Sequence, residues 1–217
     1  MEQPSVFKKT ANWRNINLYH KADTLYWVTA VFCKRFLPEQ GDHTVERMVQ
    51  AARNGKQNIA ESSEEGKAGT EAELKLLNMA RTCIGELRED YEDYLKIRDL
   101  PIWQRFHPRF DPMLSFCRQH NDFADYAPLM KRMTDEEMCN MSITLCHITD
   151  KMLMTYLKYL ESRFATEGGA KERMHTARTG YHRDYDNRMR LLEEENNQLK
   201  TEVQRLKVLL ATNGITF

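Results

Sequence analysis

Cysteine and histidine stand close together twice in this chain, as Cys117-x-x-His120 and as the adjacent pair Cys146-His147. Four such side chains are a donor set for zinc. Neighbouring helical residues point about 100° apart, however, so Cys146 and His147 rarely share one metal, and core or surface roles are the ordinary reading. The cysteines number five, form no C-x-x-C pair and sit among mostly apolar, helix-patterned neighbours. Reduced, buried thiols fit that pattern better than disulfides. Carboxylates crowd Glu86, Glu89, Asp90, Glu92 and Asp93. They are raw material for acid–base catalysis, yet on a helix most lie opposite an apolar stripe, as a solvated face does. His43 has no companion Ser, Cys or carboxylate at a catalytic spacing, and no P-loop, G-x-S-x-G or G-x-G-x-x-G occurs. The helical region also lacks the paired Glu-x-x-His of a di-iron bundle. We expect no catalytic residue, no metal and no cofactor.

Phosphate recognition needs clustered positive charge. The candidates are Lys21, Arg47, Arg53 and Lys56, yet residues 1–100 carry slightly more acid than base, and the whole chain balances 32 Lys+Arg against 32 Asp+Glu. These four side chains reach RNA or DNA only if the fold gathers them on one surface, or if oligomerisation multiplies a modest patch. Residues 170–190 are locally basic and lead into a leucine repeat, an order that invites comparison with bZIP proteins. The Asn and Ala pattern of a bZIP basic region is missing and Gly180 interrupts, so a solvated linker is the simpler expectation.

The elements that position these residues read as helices throughout. With 217 residues, 41% of them hydrophobic, and only 9 Gly and 6 Pro, the chain is neither low-complexity nor rich enough in turn formers for an all-β fold. No run approaches the ~18 apolar residues of a membrane span, and MEQPSVFKKT has no signal-peptide core. A cytoplasmic, non-membrane protein is expected. Leu18, Ala22, Leu25, Thr29, Phe32 and Phe36 predict a helix from Ile16 to Leu37, closed by Pro38. A second begins near Asp42 and meets Asn54-Gly55, either a weak point or a place where another backbone comes close. Thr70 and Glu73 have capping-box spacing and open a third, which Asp99-Leu100-Pro101 stops. Asp111-Pro112 predicts an N-cap and first helical position. Thr134 and Glu137 form a second capping box for a long helix ending at Gly168-Gly169.

The last forty residues carry the sharpest pattern. Leu192, Leu199 and Leu206 are seven apart, and Met189, Asn196, Val203 and Leu210 complete an a/d heptad with them. In a parallel pair the g and e′ positions become Arg188–Glu193′, Glu195–Lys200′ and Glu202–Lys207′, all of opposite sign. Such exposed pairs select register more than they stabilise. Asn196 at an a position points the same way, because two facing amides satisfy each other only in register.

Asn12-Trp13-Arg14, Leu18-Tyr19-His20-Lys21-Ala22, Asn58-Ile59-Ala60-Glu61 and Glu86-Leu87 together resemble a bacterial four-helix-bundle family. It comprises the proteins of ribosomal-RNA intervening sequences and the accessory variability determinant of diversity-generating retroelements. The resemblance covers about residues 7–100, and the remainder is similar to the branch with a C-terminal four-helix-bundle suffix. It implies an up-and-down bundle, commonly a homopentamer, and in the retroelement members a basic surface for RNA and a reverse transcriptase. Ser62 stands where the family usually has Gly, and Thr82-Cys83 where it has a smaller pair. The expected organisation is an all-α chain: a four-helix-bundle region at 1–100, a helical suffix at 101–167 completing or extending it, a linker at 168–184 and a coiled coil at 185–217. The expected role is a self-associating scaffold or accessory, with RNA, DNA or a reverse-transcriptase-like protein as candidate partners; the alternative is a purely protein-binding module. A five-fold bundle and a two-stranded zipper cannot both close on the same protomers without leaving a helix unpaired.

Overall fold

A computed structural model describes residues 17–37, 43–65, 70–167 and 170–212. They form helices α1 (Asn17–Phe36), α2 (His43–Glu65), α3 (Thr70–Ile97), α4 (Phe110–Gln119), α5 (Phe123–Met130), α6 (Asp135–Glu167) and α7 (Ala170–Thr212). No strand occurs among the described residues, so the fold there is all-α. None of these helices is long and apolar enough to cross a membrane. The described residues divide into two compact units, one running to Ala170 and one beginning at Lys171.

Local chemistry sets the helix ends. At the close of α3, Asp99 takes a left-handed φ of 53°. This lets the Leu100 N–H donate to the Leu95 carbonyl (2.9 Å) and the Asp99 N–H to that of Lys96 (3.2 Å). That is a Schellman motif with aspartate in the place glycine usually takes, and Pro101 prevents further winding. At the start of α6 the Thr134 N–H donates to Glu137 Oε2 (2.9 Å) while the Glu137 N–H donates to Thr134 Oγ1 (3.2 Å). The predicted capping box is therefore made in both directions.

Two expectations need correction. Arg109, not Asp111, flanks the start of α4. Asp111 and Pro112 sit within its first turn, where proline's missing amide has no intrahelical acceptor to lose. The stretch 170–184, expected as linker, is helical and continuous with the rest of α7; one glycine costs a helix only about 1 kcal/mol, too little for Gly180 to break so long an element. The stops expected at Pro38 and Gly168-Gly169, and the N-cap at Asp42, lie outside the described residues.

In the first unit α2 packs against α1 and α3, α3 against α6, and α6 against α1. Cross-helix pairs fix the directions. Arg47–Asp90, together with Gly55 beside Ile84, sets α2 antiparallel to α3, and Asp23–Lys56 ties α2 to α1. Arg81–Asp150 and Tyr94–Asp135 set α6 antiparallel to α3. Gly55 lies inside α2, where a Cβ would stand 3.3 Å from Ile84 Cγ1. Of the two readings of Asn54-Gly55, α2 runs through without a break, and what comes close is the Ile84 side chain, with the Ala80 carbonyl oxygen at an ordinary 3.7 Å. The core joins Leu25, Phe32, Leu77, Tyr91, Leu145 and Leu153 in one cluster that reaches Cys117 and Tyr126. Residues on both sides of position 100 thus share a single interior. The rings of Tyr91 and Tyr94 meet Phe32 edge-on at 5.1 and 4.9 Å.

Candidate functional site

Helix α1 is buried over more than its apolar stripe, because α5 covers it as well as α2 and α6. Lys21 lies within that covered arc and is 1% exposed. Its ammonium donates to the carbonyls of Cys117 and His120, the open C-terminal end of α4. Tyr126 Oη donates to the same His120 carbonyl (2.8 Å), and Thr24 Oγ1 donates to the Asn121 carbonyl (2.7 Å). A cation at a helix C-terminus meets the negative end of the dipole and closes orphan carbonyls at once. Burial lowers the Lys21 pKa from its usual 10.5, against the opposing pull of the Cys117 and Asp122 charges. About four turns further along α1, Arg35 repeats the device: its guanidinium donates to the Met130 carbonyl, ending α5, and to that of Met133 (3.1 Å). Two basic residues of α1 therefore pin the two crossover helices.

This arrangement corrects the expected phosphate-binding set. Lys21 is unavailable to any polyanion, since a buried ammonium with two carbonyl acceptors cannot reach solvent. Arg47 spends its guanidinium on Asp90, with Nε and Nη2 both reaching Oδ1 (3.0 and 2.6 Å). Lys56 donates to Asp23 (3.1 Å) and lies 4.2 Å over the Tyr26 ring. Arg53 is exposed. The fold thus engages three of the four rather than gathering them. Local sequence does carry one signal for Lys21: it falls three residues after Leu18 and four before Leu25, squarely on the apolar arc.

The thiol and imidazole candidates are also occupied structurally. Cys117 is fully buried, and burial pushes its thiol up to about 12 in spite of the nearby Lys21 charge. His120 Nδ1 lies 3.0 Å from the Phe116 carbonyl, and its ring stacks on Phe116 at 4.2 Å. Burial likewise raises Cys33 to about 12 and lowers His147, with Arg88 adding to the latter shift. Among the described residues no group of three or more His, Cys, Asp and Glu is placed to hold a metal.

Helix α7 presents the other candidate surface. Met189, Leu192, Leu199, Val203 and Leu206 are 41–61% exposed, with Asn196 exposed and Leu210 half-buried beside them. They recur along one side of a continuous helix for about 32 Å. Tyr185 lies one heptad before Leu192 and is 54% exposed. It extends the seam by a d position that a search for leucines passes over. Within the helix Arg190 reaches Glu194 (4.0 Å) and Arg205 reaches Glu202 (3.9 Å), contacts on open side chains that contribute little.

Comparison with protein-family models, curated proteins and solved structures finds no match for the chain.

Proposed function

We propose that this protein is a non-catalytic, self-associating helical scaffold. In this reading α1, α2, α3 and α6 form an up-and-down four-helix bundle, α4 and α5 serve as its pinned crossover, and α7 is one strand of a parallel coiled coil. One observation carries the proposal: a seam of a and d residues stays solvent-exposed along α7, flanked by g and e′ positions of opposite, complementary charge. An apolar stripe of that length is stable in water only when covered. The resemblance of Asn58-Ile59-Ala60-Glu61 and its companions to the intervening-sequence and retroelement bundle family supports the bundle half of the reading. It leaves a pentamer and a dimer as the two symmetries to test.

Light scattering on the full chain tests this directly. We expect a mass at least twice the 25.7 kDa of one chain, falling to one chain in the Leu199→Asp variant while the thermal midpoint of the first unit is unchanged. A full chain that is monomeric at tens of micromolar removes the proposal. RNA or DNA as partner is the second reading, and exposed Arg53 is what favours it. Binding to labelled RNA at low salt that weakens steeply as salt rises would support it; absence of binding at low salt ends it.

A further inference from the structure

Helix α6 is covered by α1 and α3 on its inner side and by α4 near its start, but its flank from His147 to Tyr159 is only partly clothed. There the first turn of α1, the C-terminal half of α4 and α6 enclose an open groove of about 1090 Å³. Its floor is apolar, made by Leu18, Leu114, Ile148, Met152 and the ring of Tyr156. The last of these is held in place, since Tyr156 Oη donates to Glu73 Oε1 on α3 (3.0 Å). Along α6 the lining spans residues 147–159, or about 18 Å at the rise of a helix. That is the contact length of about three turns of another helix.

The rim has a sign. Arg118 on α4 and Lys151 on α6 line opposite walls, and neither takes an ion pair among the described residues. The Arg163 guanidinium lies 5.7 Å from the Tyr159 ring at the far end. No Asp or Glu lines the groove among the described residues. Elsewhere in the unit Arg47, Lys56, Arg81 and Arg109 each sit against a carboxylate. A floor of aliphatic and aromatic side chains between Arg118 and Lys151 is complementary to one kind of surface, an amphipathic helix with carboxylates beside its apolar stripe.

We propose that this groove is a docking site for an acidic amphipathic helix of a partner protein. The site lies wholly within the first unit and does not depend on assembly through α7.

The test uses fluorescein-labelled amphipathic peptides of about fourteen residues, with leucines at helical spacing flanked either by Glu or by Lys, titrated into the full chain and followed by anisotropy. The Glu peptide should bind about tenfold more tightly than its Lys twin. Arg118→Glu combined with Lys151→Glu should reverse that order, and Met152→Asp should weaken both peptides. An unshifted thermal midpoint in each variant shows that the fold is intact. The Leu199→Asp variant should bind the Glu peptide as the parent does, which separates this outcome from failure of the coiled-coil reading. No binding of either peptide, equal binding of both, or a preference untouched by charge reversal overturns the proposal. So does binding that emerges only when residues 1–16 are removed, which would give the groove to the chain's own N-terminal segment. Self-association abolished by the charge reversal would give it instead to a second copy.

Discussion

A lysine buried against carbonyls and a set of buried thiols set how single residues govern stability here. Lys21→Met keeps the stem and its packing but leaves the Cys117 and His120 carbonyls short of a donor. Unsatisfied buried acceptors cost about 1–3 kcal/mol each, partly offset at His120 by the Tyr126 hydroxyl, so the loss should be about 2–3 kcal/mol in urea unfolding. Arg53→Ala, at an exposed position, should stay within about 0.5 kcal/mol. The thiols give a pH dependence with a definite sign. Cys33 and Cys117 ionise near 9.0 when unfolded but near 12 when folded. Below pH 9 both states keep these protons and stability is insensitive to them; between about 9 and 12 only the unfolded chain gives them up. Stability should therefore fall on the alkaline side by about 1.4 kcal/mol per pH unit for each such thiol. Tyr94, raised to about 12, adds to the fall above pH 10. Lys21 opposes it, since a depressed amine loses its proton first in the folded state. Urea midpoints from pH 7 to 11 should show a plateau and then a decline, with a shallower decline in Cys33→Ala.

At the scale of the element, two helical glycines make a controlled pair. A Cβ at Gly85 would meet nothing within 4 Å, whereas at Gly55 it would crowd Ile84. Gly85→Ala should raise the thermal midpoint by the equivalent of about 1 kcal/mol. Gly55→Ala should gain less, and Gly55→Leu should destabilise by about 1–3 kcal/mol through overpacking. These elements also show what a sequence makes legible. Period and capping chemistry are local, so the stripe of α1, the reciprocal Thr134–Glu137 box and the stop at Asp99-Leu100-Pro101 could be read from neighbouring residues alone. The partners of Lys21 and Arg35 could not, because the carbonyls they meet lie 95 to 99 residues away and have no local signature. The N-cap at Arg109 was missed because Asp-Pro is the stronger local pattern, although proline is tolerated throughout a first turn. The α7 heptad lies at the legible end, its exposure following from a periodicity that one helix cannot bury by itself. The groove lies at the other end, since its walls come from three helices whose lining residues span positions 17 to 159.

On the scale of the whole molecule, the proposed coiled coil would give the amide at Asn196 the choice between uniqueness and strength of assembly. Asn196→Leu should raise the thermal stability of the assembled species while broadening a single mass into several, measured by sedimentation velocity. A single unchanged mass with lower stability would contradict that role. The ties from α1 to the crossover have a different consequence, for how the protein is made. Its first helix leaves the ribosome carrying a cation and an apolar arc whose partners are encoded about a hundred codons downstream. At the usual 5–20 residues per second of translation, α1 waits about 5–20 s for them. A nascent chain halted at Leu100 holds three helices and no fourth wall, so it should aggregate or recruit chaperones, whereas one extended to Ala170 should melt cooperatively on its own.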